Sequence, residues 1–233
     1  MDWLPILKKI APQGNPEILA GLAAAMPNVI NVAQLTSVRR QAYFLGQCAE
    51  ESDGFKTTVE YASGKEYEGR KDLGNTQAGD GPRFKGRGLI QLTGRANYLR
   101  YGKELSVDLV NNPALAAGFP VAALIPALYW HDHGLNALAD KQDIEGVTRK
   151  VNGGENGLAT RRLYTSRASL AIGQVDEKTP MAHPPGAAPV LLPASPVPHP
   201  NQPAVAVAKP AQPQPGFWAR FWAALFTPTK KVT

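Results

Sequence analysis

The sequence has little of what secreted and metal-dependent proteins usually rely on. Cys48 is its only cysteine, so no intramolecular disulfide can form and the chain must be stable without one. Among its four histidines, His131 and His133 lie only two residues apart, which turns them to different sides of a helix; no metal site and no cofactor is expected. No early stretch reads as the ~18 apolar residues that a bilayer crossing needs. The N-terminus, with Asp2 and Pro5 ahead of its lysines, reverses the order of a secretory signal, so synthesis in a reducing cytoplasm without a signal peptide is expected. A net charge of +6 is modest, and no concentrated basic patch with stacking aromatics accompanies it, so nucleic acid is not an expected partner.

What is present is unevenly distributed. Of 21 prolines, 12 fall between Pro180 and Pro215, in a stretch rich in alanine and almost free of charge, which is a linker by composition. The organisation expected is therefore a globular domain over residues 1–175, a proline- and alanine-rich linker over 176–215, and a short aromatic, cationic tail over 216–233. In that tail Phe217, Trp218, Phe221 and Trp222 recur at helical spacing beside Arg220 and ahead of Lys230 and Lys231. Such a helix is too short to span a bilayer but suits an anionic membrane surface.

The central stretch is residues 84–98, where three glycines and three bases surround an alternating run. Read as a strand, Leu89 to Thr93 puts Gln91 and Thr93 on one face and Ile90 and Leu92 on the other. An amide and a hydroxyl in those places look set to hydrogen-bond a ligand such as a sugar.

Most of the rest reads as helix: residues 2–10, 15–25, 37–53, 143–151 and 158–172, with 119–138 broken or kinked at Pro126. Tyr129 and Trp130 are expected in the core. Arg161 and Arg162 could face a cleft, but solvated arginines are the expected reading. At about 100° per residue, Glu51 lies beside Phe44 and Cys48 while Glu50 faces outward toward Gln47 and Tyr43, so Glu51 is the more desolvated and can hold a proton near neutral pH as a general acid needs. The plainer alternative is a solvated acidic helix end. A polar loop follows, with Glu60, Glu66, Glu68 and Asp72 all able to oppose Glu51, and spacing does not choose among them.

Four phrases taken together carry a resemblance. They are Ala49-Glu50-Glu51-Ser52-Asp53-Gly54-Phe55, Tyr67-Glu68-Gly69-Arg70-Lys71-Asp72-Leu73-Gly74-Asn75, the stretch 84–98, and Val151-Asn152-Gly153-Gly154. Over roughly residues 37–172 the chain resembles glycoside hydrolase family 19, in particular its phage endolysin branch. The resemblance implies a mainly α, two-lobed lysozyme-like domain with a small β or loop element. It also implies inverting cleavage of β-1,4 links beside N-acetylated sugars, with Glu51 as acid, Glu60 as second carboxylate, and Thr76, Gln91, Thr93, Asn97 and Asn152 as substrate contacts. Glu68 is the reserve base, against an ordinary ion pair with Arg70 or Lys71.

Two departures stand out: Glu50 replaces the usual His and Asp53 the usual Gly, and both add negative charge near Glu51. The function expected is that of a monomeric lysis enzyme acting on peptidoglycan at the cell wall or periplasm after release from a host cytoplasm. The alternatives are a chitinase acting on N-acetylglucosamine polymer and a non-catalytic wall-binding or membrane-active protein.

Overall fold

The computed structural model describes residues 1–176, so the linker and the aromatic tail, with Phe217, Trp218, Phe221 and Trp222, lie outside the described residues. Helix α1 spans Trp3–Ile10, α2 Pro16–Ala33, α3 Val38–Glu51, the short α4 Asp80–Arg83, and α5 Arg95–Leu105. They are followed by α6 Val121–Asp132, α7 Leu135–Asp140, α8 Ile144–Asn152 and α9 Leu158–Asp176. Local chemistry sets several of the helix starts: Asp2, Asn15, Ser37 and Asp143 each accept a main-chain N–H of the first turn, worth about 1 kcal/mol apiece.

Helix α2 runs well past the residue 25 expected for it. Pro27 sits on its exposed side, while Met26, Val29 and Ala33 continue a buried stripe against the core, so packing outweighs the lost hydrogen bond. By length and composition α2 is apolar enough to cross a membrane; in this fold it packs against α6 and α1. The main pairing is α3 against an antiparallel α9, where a side chain at Gly46 would collide with Thr165.

Helix α6 corrects the expectation of a break at Pro126, since it passes through that residue unbroken. A proline leaves the carbonyl four residues earlier without its helical donor. Here that carbonyl, on Ala122, accepts the N–H of Leu89 at 3.1 Å. The break falls instead at Gly134, whose left-handed φ of 62° starts α7. Tyr129 and Trp130 are core residues, as expected.

The stretch 89–93 is not a strand. Arg87 and Leu92 exchange main-chain hydrogen bonds of 3.1 and 2.7 Å, closing a tight loop over 88–91, with Gly88 and Gln91 both left-handed at φ 78° and 54°. All five residues from Leu89 to Thr93 are buried, so the period of two separates no wet face from a dry one. The β content of the described residues is two isolated bridges, Val59 with Arg87 and Arg87 with Leu92.

Candidate active site

Glu51 ends α3, and only 6% of it is exposed. Its carboxylate is paired with the guanidinium of Arg161, itself 1% exposed, near the start of α9. Arg161 also donates to Gln47 Oε1 at 2.5 Å and to the Asn156 carbonyl at 3.2 Å. The Asn152 amide, at the end of α8, adds a hydrogen bond to Glu51. Burial pushes the Glu51 carboxyl up to about 7, against the downward pull of Arg161 and Asn152 and with a further push from Glu50. A carboxyl in this range exchanges its proton near neutral pH.

Arg161 overturns the reading of a solvated residue, and Gln47, read as outward-facing, is 1% exposed. The clue lay in the spacing of α9: Arg161 shares its buried side with Thr165, Ala168 and Ile172, at intervals of three and four. Arg162, one position on, is exposed and pairs with Glu145 at 2.6 Å. Glu50 is half-buried, and a side chain at Gly157 would collide with its carboxylate. Burial raises its carboxyl too, Arg161 lowers it, and Asp53 raises it.

Past α3 the backbone takes three consecutive left-handed residues, Asp53, Gly54 and Phe55, at φ 53°, 68° and 59°. Two of these are not glycine, an arrangement that costs on the order of 1–3 kcal/mol per residue. Asp53 thus occupies a backbone state that suits the glycine usual at this place in the resembling family. The Ser52 hydroxyl helps hold the bend, donating to Cys48 O at 2.6 Å and accepting Phe55 N–H at 3.2 Å.

That bend leads to Glu60, where both carboxylate oxygens have donors. Tyr67 donates its hydroxyl at 2.6 Å to one, and the Gly86 N–H lies 2.8 Å from the other. Burial raises the Glu60 carboxyl above the ordinary carboxylate range, and the opposing pull of Tyr67 and Gly86 offsets only part of that rise. The main chain is pinned as well, with Glu60 N–H bonded to Gly86 O at 2.9 Å and Lys85 Nζ reaching Glu60 O at 3.0 Å. A side chain at Gly86 would stand 2.7 Å from Gln91 Oε1 and 3.1 Å from Glu60 Oε2. The amide and the carboxylate thus flank that backbone closely, and a side chain there would push both aside.

From Gln91 the polar chain continues. Thr93 Oγ1 donates to the Gln91 carbonyl at 2.9 Å, and Asn97 Nδ2 donates to the Thr93 carbonyl at 2.6 Å. The structure therefore gathers the predicted residues into two groups, Glu51 with Asn152 and Glu60 with Gln91, Thr93 and Asn97. The amide oxygens of Asn97 and Asn152 are buried without a hydrogen-bond partner among the described residues. Each costs about 1–3 kcal/mol and asks for a reason.

Thr76 joins neither group. It is exposed, and its main-chain N–H serves Asp80. Glu68 makes no ion pair with Arg70 or Lys71; it staples the loop by accepting the N–H groups of Gly79 and Gly81 at 2.6 and 2.8 Å. Arg70 pairs with Asp72 instead, at 2.5 Å.

Comparison with known proteins places the chain in a family. Residues 21–145 match the family model for glycoside hydrolase family 19, described as chitinase class I. A glycosyl hydrolase family 19 domain-containing protein of Haemophilus influenzae is 30% identical over 181 residues, which cover 64% of this chain and 88% of that one. Endochitinase A2 of Pisum sativum is 31% identical over 135 residues, 52% of this chain but only 42% of the plant protein. In fold, the chain is similar to chitinase C of Streptomyces griseus, with a TM-score of 0.56 and 20% identity over 74% of this chain and 78% of that one. With its family-19 phrases standing on a mainly helical frame, this chain belongs to glycoside hydrolase family 19 and is a glycosidase related to chitinases.

Proposed function

We propose that this glycosidase is a peptidoglycan-cutting lysis enzyme of the endolysin type, hydrolysing β-1,4 links between N-acetylated sugars with inversion. Glu51 is the general acid and Glu60 the general base. In one step, water attacks the anomeric carbon and gives a proton to Glu60 as the C–O bond to the leaving sugar breaks, and the leaving oxygen takes the proton of Glu51. Glu68 is set aside as base because it is exposed on the loop over Gly79 and Gly81, whereas Glu60 flanks Gly86 together with Gln91. Gln91, Thr93, Asn97 and Asn152 are the residues assigned to hold the sugar chain. Thr76 remains a solvent-side contact near the loop.

One observation carries this reading most directly: the two carboxylates sit in different environments. Glu51 is closed from water with its carboxyl near 7, suited to keep a proton. Glu60 is half-buried with a donor on each oxygen, contacts that favour its charged form against the upward push of burial.

Peptidoglycan is favoured over chitin by the cationic aromatic tail and by a chain with one cysteine, unable to form the disulfides usual in secreted plant relatives. Chitin is the second reading, supported by relatives named as endochitinases. The test is the release of reducing ends from purified peptidoglycan and from chitin under identical conditions. Turnover at least ~10-fold faster on peptidoglycan, an energy difference of about 1.4 kcal/mol, is expected. The opposite ratio makes the chain a chitinase, and no release from either polymer rules out both substrates.

A further inference from the structure

Tyr67 opens one of the four resembling phrases without a role assigned to it, yet its hydroxyl makes the shortest hydrogen bond to Glu60, at 2.6 Å. Its ring is fully buried. The residue closes a single 3-10 turn, Lys65–Tyr67, that starts from Gly64 at φ 81°. Its main chain is tied at both ends: Tyr67 N–H donates to Gly64 O at 3.0 Å, and its carbonyl accepts Asn75 Nδ2 at 2.9 Å. The next residue, Glu68, staples Gly79 and Gly81, and Asn75 Oδ1 accepts the N–H of Arg95 at 2.8 Å. The whole loop thus acts as a mount that delivers one phenol O–H to one carboxylate oxygen.

We propose that Tyr67 is a positioning residue for hydrolysis, fixing the rotamer of Glu60 and keeping it ionised so that its remaining lone pairs receive the proton of the attacking water. The inference rests on Glu60 being the general base. Opposite Tyr67, the Gly86 N–H holds the second oxygen, so the carboxylate is gripped from two loops and cannot turn. Loss of one grip frees the side chain to rotate and removes a hydrogen bond made to the charged form, which raises its pKa. The other groups acting on this carboxyl are Glu66, which raises it, and Lys85, which lowers it; Tyr98 lies close enough to sense its charge. Tyr67 itself stays protonated, its phenol pushed far up first by burial and then by Glu60, so it acts as a donor across the working pH range.

The test compares pH–rate profiles of the wild type, Tyr67→Phe and Glu60→Gln on whichever of purified peptidoglycan and chitin the wild type cuts. Tyr67→Phe is expected to lower kcat by about 10-fold with KM within about two-fold, and to move the acidic limb up by about one pH unit. Replacing Tyr67 with 3,5-difluorotyrosine, a more acidic phenol and a stronger donor, keeps the shape and is expected to move that limb down. It carries the test if Tyr67→Phe does not fold. An acidic limb identical to wild type in the folded variants, with Glu60→Gln inactive, overturns the role of Tyr67 alone. Full activity in Glu60→Gln instead overturns the assignment of the base.

Discussion

Glu51→Gln is expected to lower kcat on the cleaved glycan by about 10³-fold, within the range for loss of one general acid, while leaving the fold intact. The glutamine amide oxygen can still accept from Arg161, whose partners Gln47 and Asn156 are untouched, so the packing of α3 on α9 survives. What disappears is the proton for the leaving oxygen. The same proton shapes the pH dependence. With the Glu51 carboxyl at about 7, the acid is loaded below that pH and empty above it, so wild-type activity should fall as pH rises through about 7. Activity assays with circular dichroism on the same samples check both parts; wild-type turnover by a folded Glu51→Gln would remove Glu51 from the reaction.

Arg161→Met is expected to cost stability in a pH-dependent way. Breaking a buried pair leaves an uncompensated charge, at about 3–5 kcal/mol, but Glu51 can escape that penalty by holding a proton. In the wild type the carboxyl titrates at about 7 in the folded state against 4.5 as its ordinary value. The folded chain therefore binds more protons across that window, and stability declines as pH rises through it. Without Arg161 the folded value goes higher still, so the variant keeps losing stability above pH 7 while the wild type levels off. Urea unfolding at pH 5 and pH 8 should show the larger difference at pH 8. Equal differences would mean that Arg161 acts through packing alone.

Legibility in the sequence followed how locally each feature is determined. The buried side of α3 was readable from periodicity, which singled out Glu51 over Glu50 before any contact was known; the exposures of the two bear this out. Helix starts were readable because caps are local. The Arg161 partnership was not, because it joins residues 110 apart and a basic residue at a helix start usually faces water. The alternation of residues 89–93 misled for a different reason. A tight loop buried on every side, anchored on the carbonyl that Pro126 leaves free in α6, gives each residue its own environment, and a period of two has no meaning there. Tyr67 was hidden by its type: a buried tyrosine reads as core, and only its hydroxyl partner reveals the site.

The proposed inversion requires two carboxylates acting from opposite sides of the sugar with a water between them. The most direct measurement is proton NMR of the anomeric region in the first minutes of hydrolysis, before the new reducing end mutarotates. The α-anomer appearing first is the predicted result, since water then enters opposite the leaving group. The β-anomer appearing first would contradict the account, because retention requires a covalent or substrate-assisted intermediate in place of a Glu60-activated water.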